Sequence, residues 1–257
     1  MILEYKDIPV FYQDYGHGTP VVLLHGFLET SLMWENLIPK LAENHQVITI
    51  DLLGHGGTGC LGYIHTMEMM ANVVKFVMEH LHIEKSVVIG HSMGGYVALA
   101  LADKYPDKVR KLCLMNSSPF ADSPERQINR DRAIAAVKYN HKNFISMSIV
   151  NLFSPTTRER FGGEIETIKL IANALPIQGI IAALEGMKVR KDRSEVLKRL
   201  NPQNLVILGQ KDPVLEYHIV RTELEKLKIK IIDFPDGHMS HIENNNELTY
   251  NLLQFVE

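Results

Sequence analysis

Cysteine is scarce in this chain: Cys60 and Cys113 are the only two among 257 residues. Two cysteines make no disulfide framework, and without a C-x-x-C spacing they make no redox pair or zinc motif. Cys113 sits in the apolar run Leu112-Cys113-Leu114-Met115 and is expected as a small buried hydrophobe. Long apolar runs are missing too. None approaches the roughly 18 residues of a membrane helix. Met1 to Val10, with Glu4 and Asp7, lack the basic-then-apolar design of a secretory signal. A soluble cytoplasmic protein with no membrane partner is the expectation. Neither sign of charge is in excess: 27 Lys and Arg face 30 Asp and Glu, a net charge of −3. No basic patch calls for a nucleic acid. The densest basic run, Lys188-Val189-Arg190-Lys191-Asp192-Arg193, is expected to be a solvated helix end. There are no internal repeats and no low-complexity tracts. What remains is ordinary globular material, 46% hydrophobic and 22% charged, which can bury a core without staples.

Short, nearly continuous apolar runs recur through the first half: Val21 to Leu24, Val47 to Ile50, Ser86 to Ile89 and Lys111 to Met115. Strands buried on both faces have this composition. Helical patterns lie between them, at about 31–43, 66–81 and 94–105, and residues 2–14 read as an antiparallel hairpin. Strand and helix in alternation predict right-handed crossovers and a mostly parallel sheet, an α/β fold. From about Phe120 to Asn201 no strand is expected, only helices at about 124–141, 143–152, 157–173 and 177–189. The alternation resumes with a strand at 204–208, a helix at 214–227, a strand at 230–234 and a helix at 245–256. The organisation predicted is one α/β domain made of residues 1–119 and 202–257, with a helical cap inserted at 120–201.

Gly90-His91-Ser92-Met93-Gly94 fits G-x-S-x-G, a weak signal alone. Its setting adds weight, because it follows a strand and opens a helix. A sharp strand-to-helix turn brings the residues two before and two after the serine together, and Gly90 and Gly94 leave room for that. The turn lifts the Ser92 hydroxyl clear of the sheet, beside the free N–H groups of a helix start. A serine nucleophile needs a base, and the base needs an acid to orient it. Asp212, just past strand 204–208, and His238, just past the strand ending at Phe234, come in the right order at the carboxyl edge of the sheet. His241 is the rival base, but it falls inside a helix start. Asp233 and Asp236 lie too close in sequence to His238 to approach its ring from another strand. Asn116 occupies the alternative acid position and cannot ionise. The developing oxyanion needs two donors. Met93 N–H follows the nucleophile, and Phe27 N–H lies in the loop His25-Gly26-Phe27-Leu28. His25 is expected to brace that loop.

On these pieces, together with Asp51-Leu52-Leu53-Gly54-His55-Gly56-Gly57-Thr58, Gly209-Gln210-Lys211-Asp212 and Gly237-His238 with Glu243 following, the chain resembles the α/β-hydrolase superfamily. The resemblance is to its capped, carboxylesterase-like and epoxide-hydrolase-like branch, and it spans about residues 20–243. It implies Ser92 as nucleophile, Asp212 as acid, His238 as base, and Phe27 and Met93 as backbone donors. Serine at the elbow disfavours epoxide hydrolase and haloalkane dehalogenase chemistry, which use an aspartate there. Two positions depart from the family pattern. Thr58 stands where serine is usual, and Glu29 stands where small residues are usual. Glu29 is expected to be solvated; facing the pocket, it would disfavour anionic substrates.

The resemblance implies no cofactor. No metal-ligand cluster is expected either. Apolar faces in 120–201, including Ile145, Ile149, Phe153, Ile168 and Ile180, suggest an apolar acyl pocket. His25, Trp34 and Phe120 are the candidate substrate-binding residues, with Met33 and Met93 adding apolar surface. The expected activity is hydrolysis of small or medium acyl esters through an acyl-enzyme. Two alternatives use the same fold. One is a C–C bond hydrolase or menaquinone-pathway-type lyase, whose pockets usually carry basic side chains. The other is a ligand-binding receptor. The partner expected is a small acyl compound.

Overall fold

The computed structural model describes residues 1–200 and 204–257. Eight strands form one sheet: β1 (Ile2–Tyr5), β2 (Ile8–Tyr15), β3 (Thr19–Leu24), β4 (His45–Ile50), β5 (Ser86–His91), β6 (Val109–Met115), β7 (Asn204–Gly209) and β8 (Lys230–Phe234). Their spatial order is β1-β2-β4-β3-β5-β6-β7-β8. The β1–β2 and β2–β4 pairs are antiparallel and the rest are parallel. The predicted hairpin and parallel sheet are both present. The chain leaves β3 for β4 on one side and returns to β5 on the other. The β3 and β5 ends therefore flank the point where strand order reverses, the usual ligand crevice of an open α/β sheet.

Side chains alternate across the parallel strands, as a two-residue period requires. Val22, Leu24, Val88, Leu112, Leu114, Val206 and Leu208 enter one core. Val21, Leu23, Val87, Ile89, Cys113, Met115, Leu205 and Ile207 enter the other. Both faces are covered, which is why these strands read as unbroken apolar runs. Cys113 is buried as expected.

The helices are α1 (Ile38–Leu41), α2 (Met67–His80), α3 (Met93–Lys104), α4 (Pro124–Val150), α5 (Gly162–Asn173), α6 (Ile177–Lys188), α7 (Ser194–Arg199), α8 (Tyr217–Lys226), α9 (Ser240–Glu243) and α10 (Asn245–Val256). α2 and α3 contribute to the first core, α1 and α10 to the second. Helices α4 to α7 all lie between β6 and β7. The break expected near 142 falls at Asn140, whose φ of −157° is non-helical. Its Oδ1 accepts Asn143 N–H at 3.1 Å, an N-cap for the second half of α4. α5 begins at Gly162 rather than near 157, so Gly162 and Gly163 open the helix. α7 was not anticipated from the sequence. The domain boundary drawn between 201 and 202 lies outside the described residues.

α6 docks closely on the sheet domain. A Cβ at Gly179 would strike Gly54, and one at Gly186 would strike His65. His65 N–H also donates to Ala182 O at 2.9 Å. The basic run after α6 is not solvated as expected, since Arg190 and Arg193 are 6% and 4% exposed. Arg190 lies 4.1 Å over the Tyr96 ring and 2.7 Å from Asp122, while Arg193 pairs with Glu68 and Asp103. Arg190 and Asp122 are buried together, and Arg193 is buried against carboxylates that stay partly in solvent, pairings that composition does not reveal. Among the described residues, no single helix is long and apolar enough to cross a membrane; the bent pair α5–α6 passes only by length and composition.

Candidate active site

β5 ends at His91 and α3 begins at Met93, so Ser92 makes the turn between them. Its backbone sits at φ +50°, ψ −114°, a region costly for a residue with a side chain. Three bonds hold it there. Ser92 N–H donates to Met115 O at 2.9 Å, and Ser92 O accepts from Gly95 N–H at 3.0 Å and from the Ser117 hydroxyl at 2.8 Å. A Cβ at Gly90 would collide with the Gly94 carbonyl, and one at Gly94 with the Leu24 carbonyl. Both glycines are therefore required by backbone contact.

Asp212 follows β7 and His238 follows β8. His238 Nδ1 lies 2.7 Å from Asp212 Oδ2. The carboxylate accepts, so Nδ1 carries the proton and Nε2 is the ring nitrogen left for other partners. Asp212 is anchored further: Oδ1 accepts from Val214 and Leu215 N–H at 2.8 and 3.0 Å, and Oδ2 from Asn116 Nδ2 at 3.2 Å. Burial pushes its carboxyl pKa up, but the His238 charge, the His238 bond and the backbone donors outweigh it. The group sits below the ordinary aspartate value. Asn116 also donates to Gly237 O at 3.1 Å. It is thus a brace for the acid, where the sequence showed only a position unable to ionise. The competing carboxylates are engaged elsewhere, Asp233 by Arg221 and Asp236 by Asn244.

The two expected backbone donors have no acceptor among the described residues. Each belongs to a peptide unit whose carbonyl oxygen is clamped. His25 Nε2 accepts Leu52 N–H at 2.9 Å, so its Nδ1 is the protonated nitrogen and donates to Gly26 O at 2.8 Å. Gly26 C=O and Phe27 N–H share one plane and point opposite ways. His25 therefore fixes the direction of Phe27 N–H. Ser117, donating to Ser92 O, does the same for Met93 N–H.

With this geometry in view, the comparisons with known proteins are specific. The family model described as alpha/beta hydrolase fold matches residues 19–245. This chain belongs to the α/β-hydrolase family. A thermophilic esterase from Thermogutta terrifontis, solved with malate bound, is 31% identical, with a TM-score of 0.88 over 96% of this chain and 93% of that one. The enol-lactonase from Burkholderia xenovorans superposes with a TM-score of 0.89 over 99% of both chains at 20% identity, which speaks to fold alone. Among curated proteins, the dihydrolipoyllysine-residue acetyltransferase component of the Pseudomonas putida acetoin cleaving system is 29% identical over 93% of this chain. The chain spans 64% of that relative's length.

In this hydrolase, a cavity of about 640 Å³ lies between the carboxyl edge of the sheet and helices α4 and α6. Ser92, His238 and Phe27 line its floor, and Phe144, Leu152, Leu184 and Met187 give it apolar wall. That volume suits a small-molecule ligand. Three of the expected substrate contacts lie elsewhere. Trp34 is 1% exposed in the core on the far face of the sheet, because periodicity does not say which face a helix covers. His25 is buried and spends both ring nitrogens on the main chain. Phe120 packs on the core outside the cavity lining, and its carbonyl accepts from Arg190. Met93 side chain is core, and Met33 lines a second cavity.

Two charged features run against expectation. Glu29 is not solvated: it is 4% exposed and lines the Ser92 cavity. Arg126, Arg130 and Arg158 also line that cavity, where no basic residue was placed from the sequence. Buried Asp122 binds the Nε of both Arg126 and Arg130 at 3.0 Å. His241, the rival base, faces the second cavity, of about 650 Å³, beyond Glu29. Burial lowers its pKa to about 4. Its nearest paired carboxylate oxygen is Glu29 Oε1 at 3.8 Å, against 2.7 Å for His238 and Asp212. Glu29, His91 and His241 bring one potential ligand atom each within 4.8 Å, a cluster the sequence did not suggest. Within it, Glu29 Oε2 and His91 Nδ1 lie 2.7 Å apart, at hydrogen-bond length.

Proposed function

We propose that this hydrolase cleaves carboxylic esters of small to medium acyl groups through an acyl-enzyme at Ser92. The reading rests on one observation above the rest: a 2.7 Å Asp212–His238 hydrogen bond in the wall of the cavity that Ser92 also lines. Ser92 Oγ attacks the ester carbonyl, and His238 Nε2 takes its proton. The tetrahedral oxyanion accepts from Phe27 and Met93 N–H. His238 then protonates the leaving alcohol. Water, activated by the same nitrogen, releases the acid and restores the serine. Asp212 stabilises the imidazolium formed at each step. Helices α4 to α7 act as the cap, with their apolar wall meeting the acyl chain. The esterase relative at 31% identity supports this class of substrate.

A second reading is favoured by the arginines. C–C bond hydrolysis or lyase chemistry on an anionic substrate would use Arg126, Arg130 and Arg158 in the cavity wall. Against it, Asp122 already engages two of them, and Glu29, Glu125 and Glu216 share the lining. A panel of p-nitrophenyl esters of rising chain length tests the choice, with wild type beside Ser92→Ala. Turnover of neutral esters, lost in the variant, is the expected result. A folded wild type that turns over no ester overturns the first reading.

A further inference from the structure

Among the buried ionisable groups that the proposed reaction leaves unused is Glu29, 4% exposed. It projects from the loop after β3, and His91 stands at the end of β5, 62 residues further on. Glu29 Oε2 accepts from Gly26 N–H and from His91 Nδ1, each at 2.7 Å. The other ring nitrogen of His91, Nε2, lies 3.0 Å from the carbonyl oxygen of His238. Both ring nitrogens of His91 therefore face acceptors. A neutral imidazole would set one lone pair against an oxygen, whereas the imidazolium donates to both. A charge-assisted pair in a buried setting is short and strong. The surroundings agree. Burial pushes the His91 pKa down, but Glu29 reverses this and holds it above the ordinary value. Burial pushes Glu29 up, yet His91 takes it down to about 2.

Three parts of the active site meet through this pair. Gly26 belongs to the loop that presents Phe27 N–H, His91 precedes the nucleophile, and the His238 carbonyl belongs to the base. The geometry points to Glu29 and His91 as positioning residues: a buried carboxylate–imidazolium bridge that locks the oxyanion loop to the backbone of the general base across the nucleophile turn. It rests on the reading of Ser92 and His238 given above. His91 also faces Asp212 and His25 electrostatically, and its ring centroid lies 5.1 Å from that of His238 and 5.4 Å from that of His241. Of these neighbours, Glu29 makes the direct bond. With its folded pKa raised, His91 holds the bridge at low and neutral pH and releases it as pH rises through the folded value.

Two measurements test the bridge. The first is the ¹⁵N spectrum of the histidine rings in the wild type, with His91 assigned by the resonances missing from His91→Asn. The expected result is an imidazolium at pH 7. A neutral His91 ring, or a stoichiometric bound metal in the purified protein, overturns the proposal. The second is Glu29→Gln, which keeps the shape and removes the charge. Its kcat on a neutral ester should fall about 10- to 100-fold, somewhat less than the roughly 10²–10³ for losing an oxyanion donor outright. KM for a neutral ester should stay within about 2-fold, since the glutamine keeps the shape of the cavity lining and a neutral substrate does not pair with the lost charge. The alkaline limb of kcat should move to lower pH, because the carboxylate that raises His91 is gone. A merely structural glutamate would lower stability and leave that limb in place, and that result overturns the proposal. The ring measurement needs no turnover, so failure of the bridge and failure of the ester reading are distinguishable.

Discussion

The molecule buries two carboxylate–histidine pairs at the same sheet edge, and they differ in what surrounds them. Asp212 and His238 sit 2.7 Å apart, and the histidine opens onto the cavity that Ser92 lines. Glu29 and His91 sit 2.7 Å apart as well, but both nitrogens of His91 are closed by bonds to the protein. One pair keeps a lone pair free for proton transfer, and the other has none to offer. On the proposed reading, a carboxylate and a histidine yield a base in one place and a brace in the other, and the second nitrogen of the histidine decides which.

Substitutions can break that contrast. Ser92→Ala should abolish ester turnover, a loss on the order of 10⁶ in kcat, measured against a neutral p-nitrophenyl ester. Asp212→Asn should cost about 10⁴ by favouring the wrong tautomer of His238. The loss at Glu29→Gln should be smaller by at least two orders of magnitude. Equal losses at the two acids would erase the distinction drawn here. Ser117→Ala removes the clamp on the Ser92–Met93 peptide and should lower kcat by up to about 10-fold at constant KM, below the cost of losing a donor itself.

The smallest catalytic effect is expected at Glu243, which works on stability. Its carboxylate accepts from Ser154 N–H and Met239 N–H at 2.9 and 3.1 Å and from the Thr157 hydroxyl at 2.6 Å. It ties the chain entering α5 to the segment carrying His238. Glu243→Ala leaves two buried N–H donors without a partner, while the Thr157 hydroxyl keeps Ser154 O at 3.0 Å, at a cost of about 2–3 kcal/mol. That lowers Tm by about 4–12 °C in a chain of this size, a shift calorimetry would register. An unchanged Tm would mean that water replaces the carboxylate.

Acid should separate the two pairs from the rest of the fold. Both carboxyls have lowered folded pKa values, Glu29 to about 2. Each contributes stability above the unfolded value, which is lost as pH falls through the folded value. Denaturant midpoints between pH 6 and pH 2 should therefore fall less steeply in Glu29→Gln than in wild type. The opposite slope would contradict an ionised Glu29.

How far the sequence foretold this depends on whether a signal was local. The strands announced themselves because both faces are buried. Gly90 and Gly94 marked a turn that needs them, and Asp212 and His238 followed strand ends in the right order. Glu29, Arg190 and Arg193 look solvated in the sequence because the partner of each charge lies far away in the chain, and burial of a charge depends on that partner. Trp34 lies in the core of the other sheet face, and apolar character carries no record of which face a residue covers. Asn116 was read only as a residue unable to ionise, although its amide holds the acid that does.

The central claim is that Ser92 is the nucleophile and that His238, held by Asp212, activates it. Its most direct test is covalent capture with a fluorophosphonate at pH 7, followed by mapping of the modified peptide by mass spectrometry. The account predicts one phosphonyl group on Ser92, absent in Ser92→Ala and strongly slowed in His238→Ala, while His241→Ala still labels. A label on another residue, or undiminished labelling of Ser92 in His238→Ala, would contradict it.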